Sequence, residues 1–206
     1  MVFEHNTEAQ ANIRVIDGQA YSIIDPKSSG KVDKGFYGRG WDYVVDYNES
    51  PAIQQLYDRI VMALEESTYD DLAKVSLVRD IVSGAFPIRA IPQVSDLADR
   101  LRRGEGSKKL SLDDFVEAGV GNCSQTMLTI MLLVEKLREN NQIAGDFRLS
   151  EEYWSNDFTS GGHTWGIYTA PDGRRTVVDI VRDYLGDEEG YKKILEQVKH
   201  ETLTEF

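Results

Sequence analysis

Three residues carry side chains suited to covalent acyl transfer: the lone cysteine Cys123, His163 at a strand-like start, and Asp179 inside an apolar run. Cys123 follows Gly119-Val-Gly-Asn122. Asn122 is a helix N-cap residue by type, and Gln125 stands where the third helical residue completes a variant of the capping box. Cys123 is then the first residue of a helix, where unsatisfied N–H groups and the positive end of the dipole favour an anion. Such a place lowers a thiol pKa and raises the thiolate fraction, which a nucleophile needs. The two glycines before it predict close approach of another backbone or of a substrate. The competing account makes Cys123 a small buried hydrophobe, since it shares a helical face with Met127, Ile130 and Val134.

His163 opens the run His163-Thr-Trp165 after Gly161-Gly162. Asp179 lies within Thr176-Val-Val-Asp-Ile-Val181, although aspartate is depleted in strands and costly when buried unpaired. The plain explanation for it is a cap or a structural pair with Arg174, Arg175 or Arg182. Turn chemistry links the two residues. Pro171-Asp172-Gly173 predicts a three-residue hairpin loop, a type I turn with Gly173 as the left-handed bulge. Ala170 then pairs with Arg174, Asp179 falls opposite Trp165, and His163 is two residues further along the same face, within diagonal reach. A two-residue loop would put the imidazole and the carboxylate on opposite faces. Thiol, imidazole and carboxylate make the nucleophile, base and orienter of thioester chemistry. The oxyanion would be met by the Cys123 backbone N–H and a second donor, for which Trp41 and Gln93 are candidates.

Other residues frame this set. Trp165 is expected to pack beside the imidazole and shield it from water. Tyr153, Trp154 and Phe158 precede His163 and are candidates for lining the substrate side, with Asn122 at the helix start. His5 and His200 read as solvent-facing. Asp187-Glu188-Glu189 reads as a helix start favoured by the dipole.

The elements that must hold these residues follow from periodicity. Residues 1–50 read as a polar, partly looped N-terminal extension with short strands at 12–16 and 20–24, and the glycine-rich run 28–41 reads as loop. Residues 51–206 read as one globular domain. Pro51 opens a helix with Ile53, Leu56, Tyr57, Ile60, Val61 and Leu64 on one face. A second helix runs from about Tyr69 to Pro87, a short one covers 95–103, and a further turn covers 113–117. The strongest helix covers 123–139 and is apolar over most of its circumference, which predicts a central position. The period then changes to two: a short strand at 147–149, an acidic aromatic loop over 150–162, strands at 163–170 and 175–181, and a closing helix over 187–202. Helices first and strands later predict an α+β fold with a small antiparallel sheet packed by helices, and the cysteine on the central helix.

The chain has 206 residues and a net charge of −12, which argues against nucleic acid and anionic membranes as partners, since both need a dense cationic face. No run reaches the ~18 apolar residues of a membrane helix, and no basic-then-apolar leader opens the chain. The expectation is a soluble monomer, cytoplasmic or exported without a visible signal peptide. One cysteine and three histidines build no zinc cluster, so neither metal nor cofactor is expected.

Gly119-Val-Gly-Asn-Cys123 before an apolar helix, Gly162-His-Thr-Trp165 opening a strand, and Val178-Asp179 on the next strand together resemble the transglutaminase-like branch of the papain-like superfamily. Its members show Gly-x-Cys at a helix start, then His-x-Trp, then Asp about fifteen residues on. The resemblance covers roughly 50–190. It implies a papain-like or transglutaminase-like core with Cys123 as nucleophile, His163 as base and Asp179 as orienter. It also implies thioester chemistry on amides: peptide hydrolysis, glutamine deamidation or transfer to an amine. The partner would be a protein or peptide carrying glutamine or a scissile amide. Papain-type proteases carry an oxyanion-hole glutamine six residues before the cysteine, and this chain has Glu117 there. Neither a calcium-loop motif nor the paired Cys-x-x-Cys of the peptide N-glycanase relatives is present. The alternative function is a non-catalytic protein-binding module on the same fold, and retention of all three site residues argues against it.

Overall fold

The computed structural model describes residues 13–16, 19–23, 34–39, 41–66, 68–87, 91–105, 110–155 and 160–204. Strands β1 (Ile13–Ile16) and β2 (Gln19–Ser22) form an antiparallel ribbon. Strand β3 (Lys34–Arg39) pairs antiparallel with β4 (Trp41–Asp46). The glycine-rich run expected as loop therefore contains a strand over 34–39. Gly35 and Gly38 lower its intrinsic propensity, but the Tyr43-Val44-Val45 segment of β4 supplies a strong partner, and pairing overrides composition. Tyr43 and Val45 enter the main core together with residues of 51–206, and β4 runs parallel to the short β5 (Leu110–Ser111).

Helix α1 (Pro51–Glu65) buries Ile53, Leu56 and Ile60, as its spacing requires. Its N-cap Ser50 makes no side-chain cap bond; instead the Ile53 N–H donates to Asp113 Oδ1 at 2.9 Å, a carboxylate from α4 (Leu112–Ala118). Burial raises the Asp113 pKa above the usual carboxylate value, against the lowering effect of these helix-start N–H bonds. Helix α2 (Asp71–Ala85) begins on Asp70, whose carboxylate accepts the Ala73 N–H at 2.8 Å, and buries Val75, Val78 and Val82. Helix α3 (Ile91–Glu105) is longer than the sequence pattern indicates.

Helix α5 (Cys123–Glu139) is central, buried from Gln125 through Glu135 and again at Leu137. It packs against α2, α4 and the strands β6 (Asp146–Ser155) and β7 (Ser160–Thr169). These two strands pair antiparallel along their whole length, from Asp146 opposite Thr169 to Ser155 opposite Ser160. Most of the run expected as an acidic loop is thus two arms of one hairpin. Its charged residues hid the period of two, because an antiparallel pair tolerates polar side chains on its wet face. Strand β8 (Arg175–Asp179) ends at Asp179, two residues earlier than expected, and a turn leads into β9 (Tyr184–Gly186), which the pattern does not reveal. Helix α6 (Glu188–Thr204) closes the described chain. The result is an α+β arrangement with an antiparallel sheet in the order β6-β7-β8-β9. Among the described residues no helix is long and apolar enough to cross a membrane.

Candidate active site

The start of α5 is fixed from three sides. Asn122 Oδ1 accepts the Ser124 N–H at 2.9 Å, and Gln125 Oε1 accepts the Asn122 N–H at 2.9 Å, the reciprocal cap expected from sequence. Gln125 is fully buried, and its amide donates to the Tyr43 hydroxyl of β4. Gly121 lies so close to the core that an added Cβ would stand 2.6 Å from the Phe86 ring. At Gly121 the group that approaches is an aromatic ring, and at Gly119 it is Pro87 with the Ala85 carbonyl.

The β7–β8 turn is the three-residue loop that Pro171-Asp172-Gly173 predicts. The Ala170 N–H donates to the Arg174 carbonyl at 2.8 Å, the Gly173 N–H to the Ala170 carbonyl at 2.9 Å, and Gly173 has φ +85°. Thr169 faces Arg175 and Gly166 faces Val178, so the next step along the ladder sets Asp179 beside Trp165. His163 and Asp179 consequently meet: Nε2 of the imidazole lies 2.6 Å from Asp179 Oδ2. Cys123 and His163 are close enough for each to shift the other's pKa. With Nε2 held by the carboxylate, Nδ1 is the nitrogen left available to the thiol. Exposure rises along the line, from Asp179 at 0% through His163 at 6% to the half-buried Cys123, so the site opens to solvent at the nucleophile.

Burial alone would push the thiol pKa up. The hydrogen bond and charge of His163, helped by the Thr164 N–H and Ser124, reverse this and hold it below the ordinary value. Burial would lower His163, but its bonds to Asp179 and Cys123 raise it. Burial would raise Asp179, and the imidazole, Tyr191 and Arg182 lower it. All three shifts favour thiolate, imidazolium and carboxylate together.

Asp179 is held by more than the histidine. Its Oδ1 accepts the N–H groups of Val181 at 2.9 Å and Arg182 at 3.2 Å. Its Oδ2 also accepts the Tyr191 hydroxyl at 2.6 Å and Arg182 Nη1 at 3.2 Å. The arginine pair considered as the plain explanation for Asp179 and the histidine bond are both present. Compared with protein-family models, curated proteins and solved structures, the chain matches none.

Trp165 stacks on the imidazole, with ring centroids 5.9 Å apart and planes 25° apart, and also packs on Tyr191 at 5.3 Å. Asn122 spends its side-chain oxygen on the helix cap. Tyr153 and Trp154 lie on β6 opposite Gly162 and Gly161, but their side chains fall outside the described residues. The same holds for the side chains of Trp41 and His200, and for Phe158 and His5 entirely. Gln93 is exposed on α3. Among the described residues, no group of three or more His, Cys, Asp or Glu side chains is placed to hold a metal ion. Two contributors carry no sequence motif that marks them as site residues. Arg182 appears in the sequence only as one of three candidate arginines, and Tyr191 only as an apolar stripe position on the last helix. The three-residue offset from Asp179 was the available signal for Arg182; nothing local points to the Tyr191 hydroxyl.

Proposed function

We propose that the protein is a cysteine-dependent acyl-transfer enzyme that acts on amide bonds through a thioester, on a transglutaminase-like variant of the papain-like fold. The observation that carries this reading is a thiol at a helix N-terminus beside His163, whose imidazole is bonded to the buried Asp179 and holds the thiol pKa down. The thiolate attacks the amide carbon of a glutamine side chain or peptide bond, forming a C–S bond and an oxyanion. The Cys123 backbone N–H, which has no acceptor within the helix, is positioned by type to meet that oxyanion. The imidazolium gives its proton to the departing nitrogen as the C–N bond breaks. His163, now neutral, takes a proton from water or an amine as it attacks the thioester, and the thiolate leaves. Asp179 fixes the ring tautomer and balances the imidazolium charge.

Intact-mass detection of a covalent adduct with glutamine- and peptide-based electrophiles tests this. The wild type should gain one adduct per chain, and Cys123→Ser should gain none. An unmodified wild type whose thiol titrates near the free value of ~8.5 returns the protein to the binding-module reading.

A further inference from the structure

Tyr191 comes from α6, outside the segment that supplies the three reacting residues, yet its hydroxyl makes one of the two shortest contacts to Asp179. Tyr191 is 3% exposed, clamped between Trp165 and Tyr184 with ring centroids 5.3 Å from each. Arg182 Nη1 donates to the same hydroxyl oxygen at 3.2 Å and to Asp179 Oδ2 at 3.2 Å. A phenol has one proton. With its oxygen receiving from the guanidinium, that proton is directed at the carboxylate. Burial, followed by the neighbouring carboxylate, pushes the phenol pKa above the usual range, which favours the hydroxyl as a donor.

We infer that Tyr191, oriented by Arg182, is a positioning residue of this site: its hydroxyl fixes the Asp179 carboxylate and through it the His163 ring. This rests on the acyl-transfer reading for its purpose, though its test does not. The groups that face His163 are Cys123 on α5, Asp179 at the end of β8, Arg182 in the following turn, Tyr191 on α6, and Glu152 at the paired position on β6. Three donors share Oδ2: the imidazole, the phenol and the guanidinium. Removing the phenol leaves more negative charge for the imidazole, so His163 should hold its proton more strongly and the ring should lose a constraint.

The experiment is a proton NMR titration of His163, one of three histidines in the chain, in the folded protein. Tyr191→Phe keeps the ring and deletes the hydroxyl. The His163 midpoint should rise by about one pH unit, the tenfold change in proton affinity expected for one charge-assisted hydrogen bond. Tyr184→Phe, on the neighbouring ring whose hydroxyl donates to the Asp187 carbonyl, should leave the midpoint at the wild-type value. Arg182→Gln should raise it as well, with Arg182→Lys between Gln and wild type; these carry the test if Tyr191→Phe does not fold. A wild-type midpoint in Tyr191→Phe, or an equal shift in Tyr184→Phe, overturns the assignment. If the midpoint shifts as expected but Cys123 takes no adduct, the acyl-transfer reading fails while the positioning network stands.

Discussion

Asp179 and Glu135 are both buried and both paired with an arginine three residues on, Arg182 and Arg138, yet their ionisation is pushed in opposite directions. Asp179 ends a strand. The turn after it bends the Val181 and Arg182 N–H groups back onto Oδ1, leaving Oδ2 for His163, Tyr191 and the guanidinium. With every oxygen supplied with donors, its pKa falls despite burial. Glu135 sits in the middle of α5, where the backbone N–H groups belong to the helix. Its Oε2 meets Arg138, and its Oε1 is buried with no partner. Burial then dominates, Asp146 and Glu139 add to it, and the pKa rises against the attraction of Arg138. An arginine alone does not keep a buried carboxylate charged. The local backbone decides how many further donors can reach it.

The sharpest way to break this contrast is Asp179→Asn. The amide nitrogen would confront donors, leaving Arg182 without its countercharge and the imidazole without its tautomer lock. Adduct formation at Cys123 should fall on the order of 10³–10⁴-fold, and urea unfolding should show a loss of about 3 kcal/mol. Wild-type labelling in this variant would remove Asp179 from the mechanism. Next in size, iodoacetamide should alkylate native Cys123 well below pH 8, and His163→Ala should move that profile up towards ~8.5. The sign follows from the lowered thiol and raised imidazole pKa values, each of which depends on the other.

Glu135→Gln should be mild, within about 1 kcal/mol near neutral pH. Its pH dependence carries the information. Glu135 has a raised folded pKa, so its contribution is present below the unfolded value of ~4.3 and is lost as pH rises through the folded value. Relative to the wild type, Glu135→Gln should gain stability over that rise, as read by urea unfolding at successive pH values. Asp179 acts the other way, its stabilisation fading as pH falls through its lowered folded value. A stability difference between Glu135→Gln and wild type that does not change with pH would erase the contrast. Smallest of all, Gly173→Ala meets no atom within 4 Å, so it should cost only the left-handed backbone penalty of about 1 kcal/mol. The thermal midpoint should drop slightly, with the alkylation profile of Cys123 unchanged.

What was legible in the sequence was what local chemistry decides. Asn122 and Gln125 announce the helix start, and Pro171-Asp172-Gly173 sets the register that joins His163 to Asp179. What was hidden depends on partners distant in sequence. Strand β3 looks like loop until β4 is placed beside it, and β5 and β9 are too short to show a period. The arms of the β6–β7 hairpin carry Glu151, Glu152 and three glycines, whose composition outweighs their pairing when read alone. Tyr191 satisfies a helical apolar stripe by its ring, and only the packed fold reveals where its hydroxyl goes.

The carboxylate of Asp113 that completes the first turn of α1 lies 60 residues further along the chain than the N–H it receives. A chain growing from its N-terminus therefore has all of α1, α2 and α3 before the group that finishes α1 exists. Closing so long a loop is slow and entropically unfavourable until other contacts accompany it. Here they do: the segment bearing Asp113 also carries Phe115, packed edge-on to Tyr43, and leads through Val120 directly into α5. One short segment thus both completes the first turn of α1 and leads into the cysteine-bearing helix.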